Sequence, residues 1–368
     1  VYVKSIRLIN FRNYDNLKIE LNKKINIFLG DNAQGKTNLL ESIYICSSGK
    51  SYRSSKDKEI INIKKDKAYV GIEVEKDNFN KYIEIKFEKD KPKRIRINKI
   101  ELDRVSELIG NLNVVIFSPE DLKLVKEGPL ERRTFLDTEI SQIKPKYKYN
   151  LNKYNKILIQ RNKLLKSSQF DNNNLKTIDI WNEQLSNIGS EIIISRTNFL
   201  RTLSKISKEI HKKLTGSNEE LEVRYVPSFN IKDINKDKLK EQFKEILNKN
   251  IEKDIEKGTT EYGPHRDDID IIINNMPCRI YGSQGQQRTA ALSLKLAEVE
   301  LINMEVGEYP VLLLDDVLSE LDINRRKYLL STFKDIQTII TSTDDIDLDD
   351  IEDISKSTFY IKQGNVLY

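Results

Sequence analysis

Gly30-Asp31-Asn32-Ala33-Gln34-Gly35-Lys36-Thr37 is the stretch from which the rest of the chain can be read. It fits the pattern G-x-x-x-x-G-K-T, and its context matters as much as the string. Ile25 to Leu29 before it reads as a strand, and a helical run from about Lys36 to Cys46 follows. A strand delivering a glycine loop into a helix start aims backbone N–H groups and the helix N-terminus at one point, which suits a phosphate. Gly30 and Gly35 permit conformations and a close approach that a Cβ would obstruct. Lys36 is expected to reach the β- and γ-phosphates and the Thr37 hydroxyl to ligate Mg²⁺.

Such a loop needs a second anchor for the metal. Pro310-Val311-Leu312-Leu313-Leu314-Asp315-Asp316 supplies one, an apolar run of the kind buried in parallel sheets with carboxylates at its C-terminal end. Asp315 is the expected Mg²⁺-side ligand, directly or through water, and Asp316 is placed to polarise an attacking water. Taken alone, Asp-Asp is also an ordinary strand-end turn.

A third segment, Tyr281-Gly282-Ser283-Gln284-Gly285-Gln286-Gln287-Arg288, directly precedes a helical run. Ser283 is a candidate N-cap and Gly285 lets a backbone approach a ligand, so the chain carries a second anion-seeking helix start. One copy has no need of two such sites for one triphosphate. Two copies head to tail do, because the loop of one then faces the Ser283 segment of the other. A helix cap alone would need neither Gln286 nor Gln287.

Outward from these sites, Val3 to Ile9 and Leu17 to Leu21 read as strands. Ala68 to Val74, Tyr82 to Phe87 and Arg94 to Ile97 read as an antiparallel sheet attached to the nucleotide segment. Val114 to Phe117 is a further strand, closed by Ser118-Pro119. The middle is helical. Leu151, Tyr154, Leu158 and Leu165 form one apolar stripe, and Asp171 to Asn174 reads as a turn. Trp181, Leu185, Ile188, Ile192, Phe199, Leu203, Ile206 and Ile210 form a second stripe on one helix face. A helix from Ile178 to Leu214 would be ~55 Å long. Two such antiparallel helices make a projecting arm; plain packing on the main core is the alternative. Leu221 to Val226 then reads as a strand and Asp233 to Leu247 as a helix. Strands at Ile269 to Ile273, Val311 to Leu314 and Gln337 to Ile340 alternate with helices from Ser283 to Met304 and Asn324 to Phe333. Thr358 to Ile361 with Val366 to Tyr368 resembles a closing hairpin. The division this implies is 1–144 and 251–368 as the halves of an ATPase head, with 145–250 as the arm.

Bulk properties agree with a folded protein with an ionic surface: 368 residues, 38% hydrophobic and 32% charged. That length holds one sizeable core plus a second module, since cores stop growing near ~250–300 residues. No run approaches the roughly 18 apolar residues of a membrane span, and Val1 to Asn10 reads as an alternating segment and not a signal peptide. The two cysteines, Cys46 and Cys278, form no disulfide framework, which fits a reducing, cytoplasmic setting. The net charge of +5, from 62 Lys+Arg against 57 Asp+Glu, is too modest to argue for nucleic acid by itself.

The motifs together resemble the RecF family of DNA repair and replication proteins, relatives of the SMC and Rad50 ATPases in the ABC class. The resemblance spans essentially the whole chain. It rests on Phe11-Arg12-Asn13-Tyr14, the loop Gly30 to Thr37 continuing into Asn38-Leu39-Leu40-Glu41, and Phe117-Ser118-Pro119-Glu120-Asp121-Leu122. Gly263-Pro264-His265-Arg266-Asp267-Asp268, the Ser283 segment, and Asp315-Asp316 followed by Ser319-Glu320-Leu321-Asp322 complete it. It implies an α/β fold: an ABC/SMC-type P-loop ATPase head with an inserted α-helical, coiled-coil-like arm domain. It implies ATP and Mg²⁺ as ligands, with Gly30, Asp31, Asn32, Ala33, Gln34, Gly35, Lys36, Thr37 and Asn38 around the phosphates and Arg12 against the nucleotide. Ser283, Gly285 and Gln286 match the signature that clasps the γ-phosphate on a partner copy. Ser319 to Asp322 match the D-loop, and Phe117 to Leu122 the Q-loop and lid, where Glu120 or its neighbours sense the γ-phosphate. Thr341-Ser342-Thr343-Asp344 occupies the switch position, where Thr341 or Thr343 would donate a hydroxyl to the γ-phosphate. Asp316 stands where most ABC ATPases carry Glu, which fits slow hydrolysis. Ser51-Tyr52-Arg53 stands where the family usually has Ser-His-Arg, so Tyr52 is given no proton-transfer role.

The implied activity is a weak, DNA-stimulated ATPase forming an ATP-dependent homodimer on double-stranded and gapped DNA, working with RecR and RecO and with no membrane partner. Lys50, Arg53, Lys56, Lys58, Arg132-Arg133 and, near the arm, Lys144, Lys146, Lys148, Lys153, Lys156, Arg161 and Lys163 are candidate phosphate contacts. His265-Arg266 is another, unless Arg266 bridges Asp267 or Asp268 to fix its turn. Two other classes compete: an ABC-type transporter subunit, which lacks a compact helical subdomain before the signature here, and a coiled-coil protein with a vestigial site.

Overall fold

Every residue of Ile25–Leu29, Val114–Phe117, Val311–Asp315 and Thr338–Ser342 is buried. Strands covered on both faces read as unbroken apolar runs and lie in parallel sheets. The computed structural model describes residues 1–76, 79–169, 175, 177–332, 334–344 and 355–367. The chain forms two compact units, Val1–Asp121 with Leu292–Tyr368, and Leu122–Ala291.

The first unit opens with β1 (Tyr2–Phe11), β2 (Tyr14–Glu20), β3 (Ile25–Leu29), α1 (Lys36–Ser48), β4 (Lys67–Lys76), β5 (Phe79–Glu88), β6 (Arg94–Ile97), β7 (Ile100–Glu101) and β8 (Val114–Phe117). The second contains α2 (Leu122–Lys126), α3 (Pro129–Ile143), α4 (Pro145–Ser168), α5 (Ile178–Leu214), β9 (Leu221–Val226), α6 (Lys236–Lys249), α7 (Ile251–Lys257), β10 (Asp268–Ile273), β11 (Met276–Pro277), α8 (Cys278–Tyr281) and the start of α9 (Gln284–Val306). The first unit resumes with β12 (Val311–Asp315), α10 (Ile323–Thr332), β13 (Thr338–Ser342), β14 (Lys356–Lys362) and β15 (Asn365–Leu367).

Two sheets build the first unit. The order β2-β1-β4-β5-β6-β7 is antiparallel throughout, and its strands alternate buried with exposed positions, as a sheet with one covered face does. In the order β15-β14-β3-β13-β12-β8 all pairings are parallel except the terminal hairpin. Helix α1 touches β4 and β5 of one sheet and β8, β12 and β13 of the other. A helix between two sheets has no solvent face. Leu39, Leu40, Ile43 and Ile45 of α1 therefore join Ile6, Leu8, Ile72 and Ile83 from one side and Val311, Leu313 and Ile339 from the other in one core. Gly49 closes α1 at φ 73°, its N–H donating to Ile45 O at 2.8 Å.

In the second unit α4 and α5 run antiparallel. Asn150 meets Glu191 at 2.7 Å and Arg161 meets Asn182 at 2.7 Å. Arg196 reaches Tyr147 Oη at 3.0 Å. The α5 stripe is buried at Leu185, Ile188, Ile192, Phe199, Leu203 and Ile210 and half-buried at Trp181 and Ile206. It is wrapped by α4, α6 and β9. A Cβ on Gly189 would stand 2.5 Å from Phe243 of α6, which is how closely the two helices approach. On α4 Ile157 is buried and Leu158 only half so. The expected start of α6 at Asp233 is three residues early. Asp233 Oδ1 accepts from Asn235 N in the preceding turn, and Asn235 is the cap, accepting from the amides of Asp237 and Lys238. The expected turn at Asp171–Asn174, and the ends of two expected elements at Phe333 and Tyr368, lie outside the described residues. Among the described residues, no helix is long and apolar enough to cross a membrane.

Charge in this unit is turned inward. Arg161, wholly buried, meets Asp254 Oδ2 at 2.8 Å, Thr260 Oγ1 at 2.7 Å and Asn182. Arg132, also buried, holds Asp268 with two bonds of 2.6 and 2.9 Å. Neither guanidinium is available to DNA, contrary to the expectation from sequence, because each sits on the apolar side of its helix opposite a carboxylate far along the chain. Arg266 bridges neither Asp267 nor Asp268: it reaches Glu261 Oε1 at 3.1 Å and Thr260 O at 3.2 Å. Asp267 instead accepts from Ser228 N at 2.7 Å and from the Tyr225 hydroxyl. His265 lies between Tyr154 Oη (2.8 Å) and Thr260 O (2.9 Å), and burial lowers its pKa to about 4, so the ring is neutral.

Burial pushes the Arg161 guanidinium below its usual value and the Asp254 carboxyl above its own, so desolvation opposes this pair from both sides. Removing one partner strands the other. Asp254→Ala is expected to lower stability by roughly 3–5 kcal/mol, read from urea unfolding; a loss under about 1 kcal/mol would mean that the guanidinium is not held as a buried ion.

Candidate nucleotide-binding site

Parallel pairing sets the carboxyl ends of four strands side by side. Leu29 of β3 pairs with Ser342 of β13, Thr341 with Asp315 of β12, and Leu314 with Phe117 of β8. Ligands of open α/β sheets gather at this edge. The loop after β3 is shaped by contacts behind it. Gly30 has φ 150°, and a Cβ there would lie 2.4 Å from Ile361 O of β14. Gly35 has φ 116°, and its Cβ would lie 2.5 Å from Asn13 Nδ2. Ala33 takes a left-handed φ of 63° without glycine.

The turn between β1 and β2 grips the loop, a role not legible in the sequence. Asn13 Nδ2 donates to Gln34 O at 2.8 Å, while Asn13 Oδ1 accepts from Asn38 Nδ2 at 2.8 Å. The buried Tyr14 hydroxyl donates to Gly35 O at 3.0 Å. From the β14–β15 turn, Gly364 N donates to Gln34 O at 3.1 Å and Gln363 N to Gln34 Oε1 at 2.7 Å. Lys36 Nζ donates to Gly30 O at 2.5 Å and Asp31 O at 2.8 Å. Burial pulls its pKa below the usual lysine value, opposed by the carboxylates of Asp316, Asp31 and Asp315. Asp31, Asn32 and Ala33 are exposed at the loop's tip.

Thr37 Oγ1 donates to Asp315 Oδ1 at 2.8 Å. A hydroxyl and a carboxylate so close together are hard oxygen donors of the kind Mg²⁺ takes, so the residues fit that ion. Thr341, expected at the γ-phosphate, is buried behind them. Its hydroxyl donates to Asp315 Oδ1 at 2.9 Å and accepts from Asp316 N at 3.0 Å. Asp316 has φ 57°, and Ser319 Oγ donates to its carbonyl at 2.7 Å. Tyr52 Oη donates to Asp315 Oδ2 at 3.3 Å, and burial, then Asp315 itself, raises the phenol's pKa, so it stays a donor. Glu120 is exposed in the Pro119–Asp121 turn just past β8, where Asp121 accepts from Ser118 N at 2.7 Å.

Arg12, expected against the nucleotide, is held by Glu41 through bonds of 2.9 and 2.6 Å and by Glu59 O. Arg53 donates to Asn38 Oδ1 at 2.8 Å. Lys50, Arg53, Lys56 and Lys58 are exposed. Beside the Asn13 turn a cleft of about 620 Å³ is lined by Arg12, Asn13, Glu59, Ile61, Asn62 and Ile63, among others. Ile63 is 91% exposed. No sequence pattern announces this cleft, because the segment after α1 is carried back to the turn only by pairings such as Phe11 with Ile61.

In the second unit, Ser283 Oγ accepts from Gln286 N at 3.2 Å and Gln286 Oε1 accepts from Ser283 N at 2.8 Å. This reciprocal pair is a capping box. Gln287 Nε2 donates to Cys278 O and Gly282 O, both at 3.2 Å. Both glutamines thus serve the cap and the turn before it, which corrects the expectation that a cap needs neither. Gly285 is different. A Cβ there would meet only Ser283 Oγ, at 3.9 Å, so this chain's own packing does not require glycine. Ser283 itself is exposed.

The RecF/RecN/SMC N terminal domain family matches residues 2–364. The DNA replication and repair protein RecF of Alkaliphilus oremlandii is 48% identical over 365 residues, covering 99% of each chain. That of Clostridium novyi is 49% identical over 366 residues, covering 100% of this chain and 99% of the other. A solved structure of the recombination mediator protein RecF with ATP, in the RecFOR pathway, superposes with a TM-score of 0.93 at 40% identity, covering 100% of this chain and 97% of that one. The Smc head domain of Pyrococcus furiosus, 17% identical with a TM-score of 0.54 and covering 99% and 95%, shares the fold. The chain belongs to the RecF family of DNA replication and repair proteins.

Proposed function

We propose that this RecF-family chain binds ATP with Mg²⁺ at the loop Gly30 to Thr37 and dimerises around it to hold DNA during replication and repair. The observation that carries the reading is the 2.8 Å bond from Thr37 to Asp315, which joins the phosphate loop to the carboxylate pair at the end of β12. A transporter subunit is not favoured, since the full-length relatives are DNA replication and repair proteins.

Each residue has a task. Lys36 and the loop amides from Asp31 to Gln34 bind the phosphates, with Asn38 supporting the loop through Asn13. Thr37 and Asp315 would hold Mg²⁺, which when bound supplies positive charge against the phosphate oxygens. Asp316 orients the attacking water from a backbone fixed by Thr341 and Ser319, and its short side chain fits slow turnover. Glu120 senses the γ-phosphate from the end of β8. The cleft at Ile61 and Ile63, where the exposed Ile63 offers apolar surface, receives the nucleoside, with Arg12 at its wall.

Ser283, Gly285 and Gln286 of a second copy complete the phosphate cage. The exposure of Ser283 and a glycine that its own chain does not need both support that reading. Double-stranded and gapped DNA meets the exposed Lys50, Arg53, Lys56 and Lys58 and, on α4, Lys146, Lys153, Lys156 and Lys163. Contacts of this kind bind backbone and not base sequence. DNA stimulation of hydrolysis, work with RecR and RecO, and action in the cytoplasm belong to the same reading.

The central test is ATP-dependent dimerisation in analytical ultracentrifugation. Lys36→Arg and Ser283→Arg are each expected to abolish it; ATP-dependent dimers in either variant would end the two-copy mechanism. Asn13→Ala removes one of the two donors on the Gln34 carbonyl and the acceptor of the Asn38 amide. Two hydrogen bonds at ~1 kcal/mol each predict roughly a tenfold or greater rise in the Kd of a fluorescent ATP analogue. An unchanged Kd would remove Asn13 from the loop's support. Tyr14→Phe, losing one bond, is expected to raise it about fivefold.

A further inference from the structure

Glu219 stands between the last turn of α5 and the start of α9. Its Oε2 lies 3.2 Å from Nε2 of the wholly buried His211, and its Oε1 accepts from Gln286 Nε2 at 2.9 Å. Gln286 is the side chain that closes the capping box, with its own Oε1 on Ser283 N at 2.8 Å. Both ends of that amide are therefore fixed, one by a carboxylate and the other by a backbone N–H, and only one orientation satisfies both. The approach of Glu219 is set by backbone on either side. Before it, Gly216 and Ser217 take φ 60° and 65°, and Ser217 N donates to Lys212 O at 2.7 Å. After it, Glu220 exchanges two bonds with Asn274, 2.8 Å from its N–H to Asn274 Oδ1 and 3.0 Å from Asn274 N to its carbonyl.

We propose that Glu219 is a positioning residue for the Ser283 segment, setting Gln286 so that the Ser283 hydroxyl is presented to a phosphate bound by a second copy. The proposal rests on the two-copy reading above. The hydroxyl accepts from Gln286 N, so its own proton points away from the cap and can be donated to a phosphate oxygen. Without the carboxylate, the Gln286 amide has a single anchor, the cap loosens, and the hydroxyl loses its direction. The far end of the chain of bonds is His211, so the last turn of α5 and the signature segment are held as one piece.

The test uses the full chain with Glu219→Ala, Glu219→Asp and Glu219→Gln. Three quantities are read: the Kd of a fluorescent ATP analogue at low protein concentration, ATP-dependent dimerisation by ultracentrifugation, and the melting temperature. Alanine, and aspartate with its shorter reach, are expected to weaken dimerisation about tenfold or more, with the nucleotide Kd changed by less than about twofold. Glutamine can accept from Gln286 and face His211 with its amide, so it is expected to restore dimerisation. A residue serving stability alone would lower the melting temperature without separating nucleotide binding from dimerisation. If Glu219→Ala fails to fold, the aspartate and glutamine pair carries the test. Wild-type dimerisation in the aspartate or alanine variant, or a glutamine variant that does not recover, overturns the proposal. Ser283→Arg is run alongside. If it abolishes dimers while Glu219→Ala keeps them, the Glu219 assignment alone fails; if it also dimerises normally, the two-copy reading falls and takes Glu219 with it.

Discussion

Three hydroxyls from distant parts of the chain end on the Asp315 carboxylate: Thr37 and Thr341 on one oxygen, Tyr52 on the other. An ionised carboxylate only accepts, so each hydroxyl must donate and each rotor is thereby fixed. Asp315 is 7% exposed and follows an unbroken apolar strand, an environment in which a carboxylate needs such donors. The first turn of α1, the end of β13 and the segment after α1 all meet at that one group. Thr341 passes the constraint on, since its oxygen also receives the Asp316 amide and so sets the backbone of the neighbouring carboxylate.

Much of this was readable from sequence because local pattern and fold agree. Ile25–Leu29, Ile178–Leu214 and Leu221–Val226 have in the structure the bounds that periodicity gives them. The flanks of the three motifs proposed to meet phosphate are legible for the same reason: each motif is contiguous, and its neighbours declare a strand or a helix. What could not be read is what arrives from elsewhere. Asn13 and Tyr14 stand in a motif that carries the family resemblance, but the motif does not announce that they brace the loop beginning at Gly30. Gln286 looked superfluous to a helix cap, yet Ser-x-x-Gln is itself a capping pattern.

Arginine shows where residue counting fails. Arg161 lies on a helix dense in lysine, and composition alone groups it, like Arg132 and Arg196, with the surface. The structure turns them inward, onto Asp268, Asp254 and Asp137 respectively. Their helical phase carried the warning: Arg161 falls four residues from Ile157 and from Leu165 on the buried stripe, where a charge survives only with a partner. The lysines beside Arg161 on α4, Lys153, Lys156 and Lys163, are exposed on the other faces. A forked guanidinium can satisfy several buried acceptors at once, which an ammonium on a flexible stem does less well.

The hairpin behind the phosphate loop has a consequence in time. Gln34 leans on Gln363, a residue 329 positions downstream, and Gly30 packs against the carbonyl of Ile361. At ~5–20 residues synthesised per second, roughly 15–65 s separate the emergence of the loop from that of its backing. Until then the loop proposed to grip a nucleotide stands without its rear wall. On that proposal, competence to hold ATP is acquired only after the helical unit between the two halves has been made.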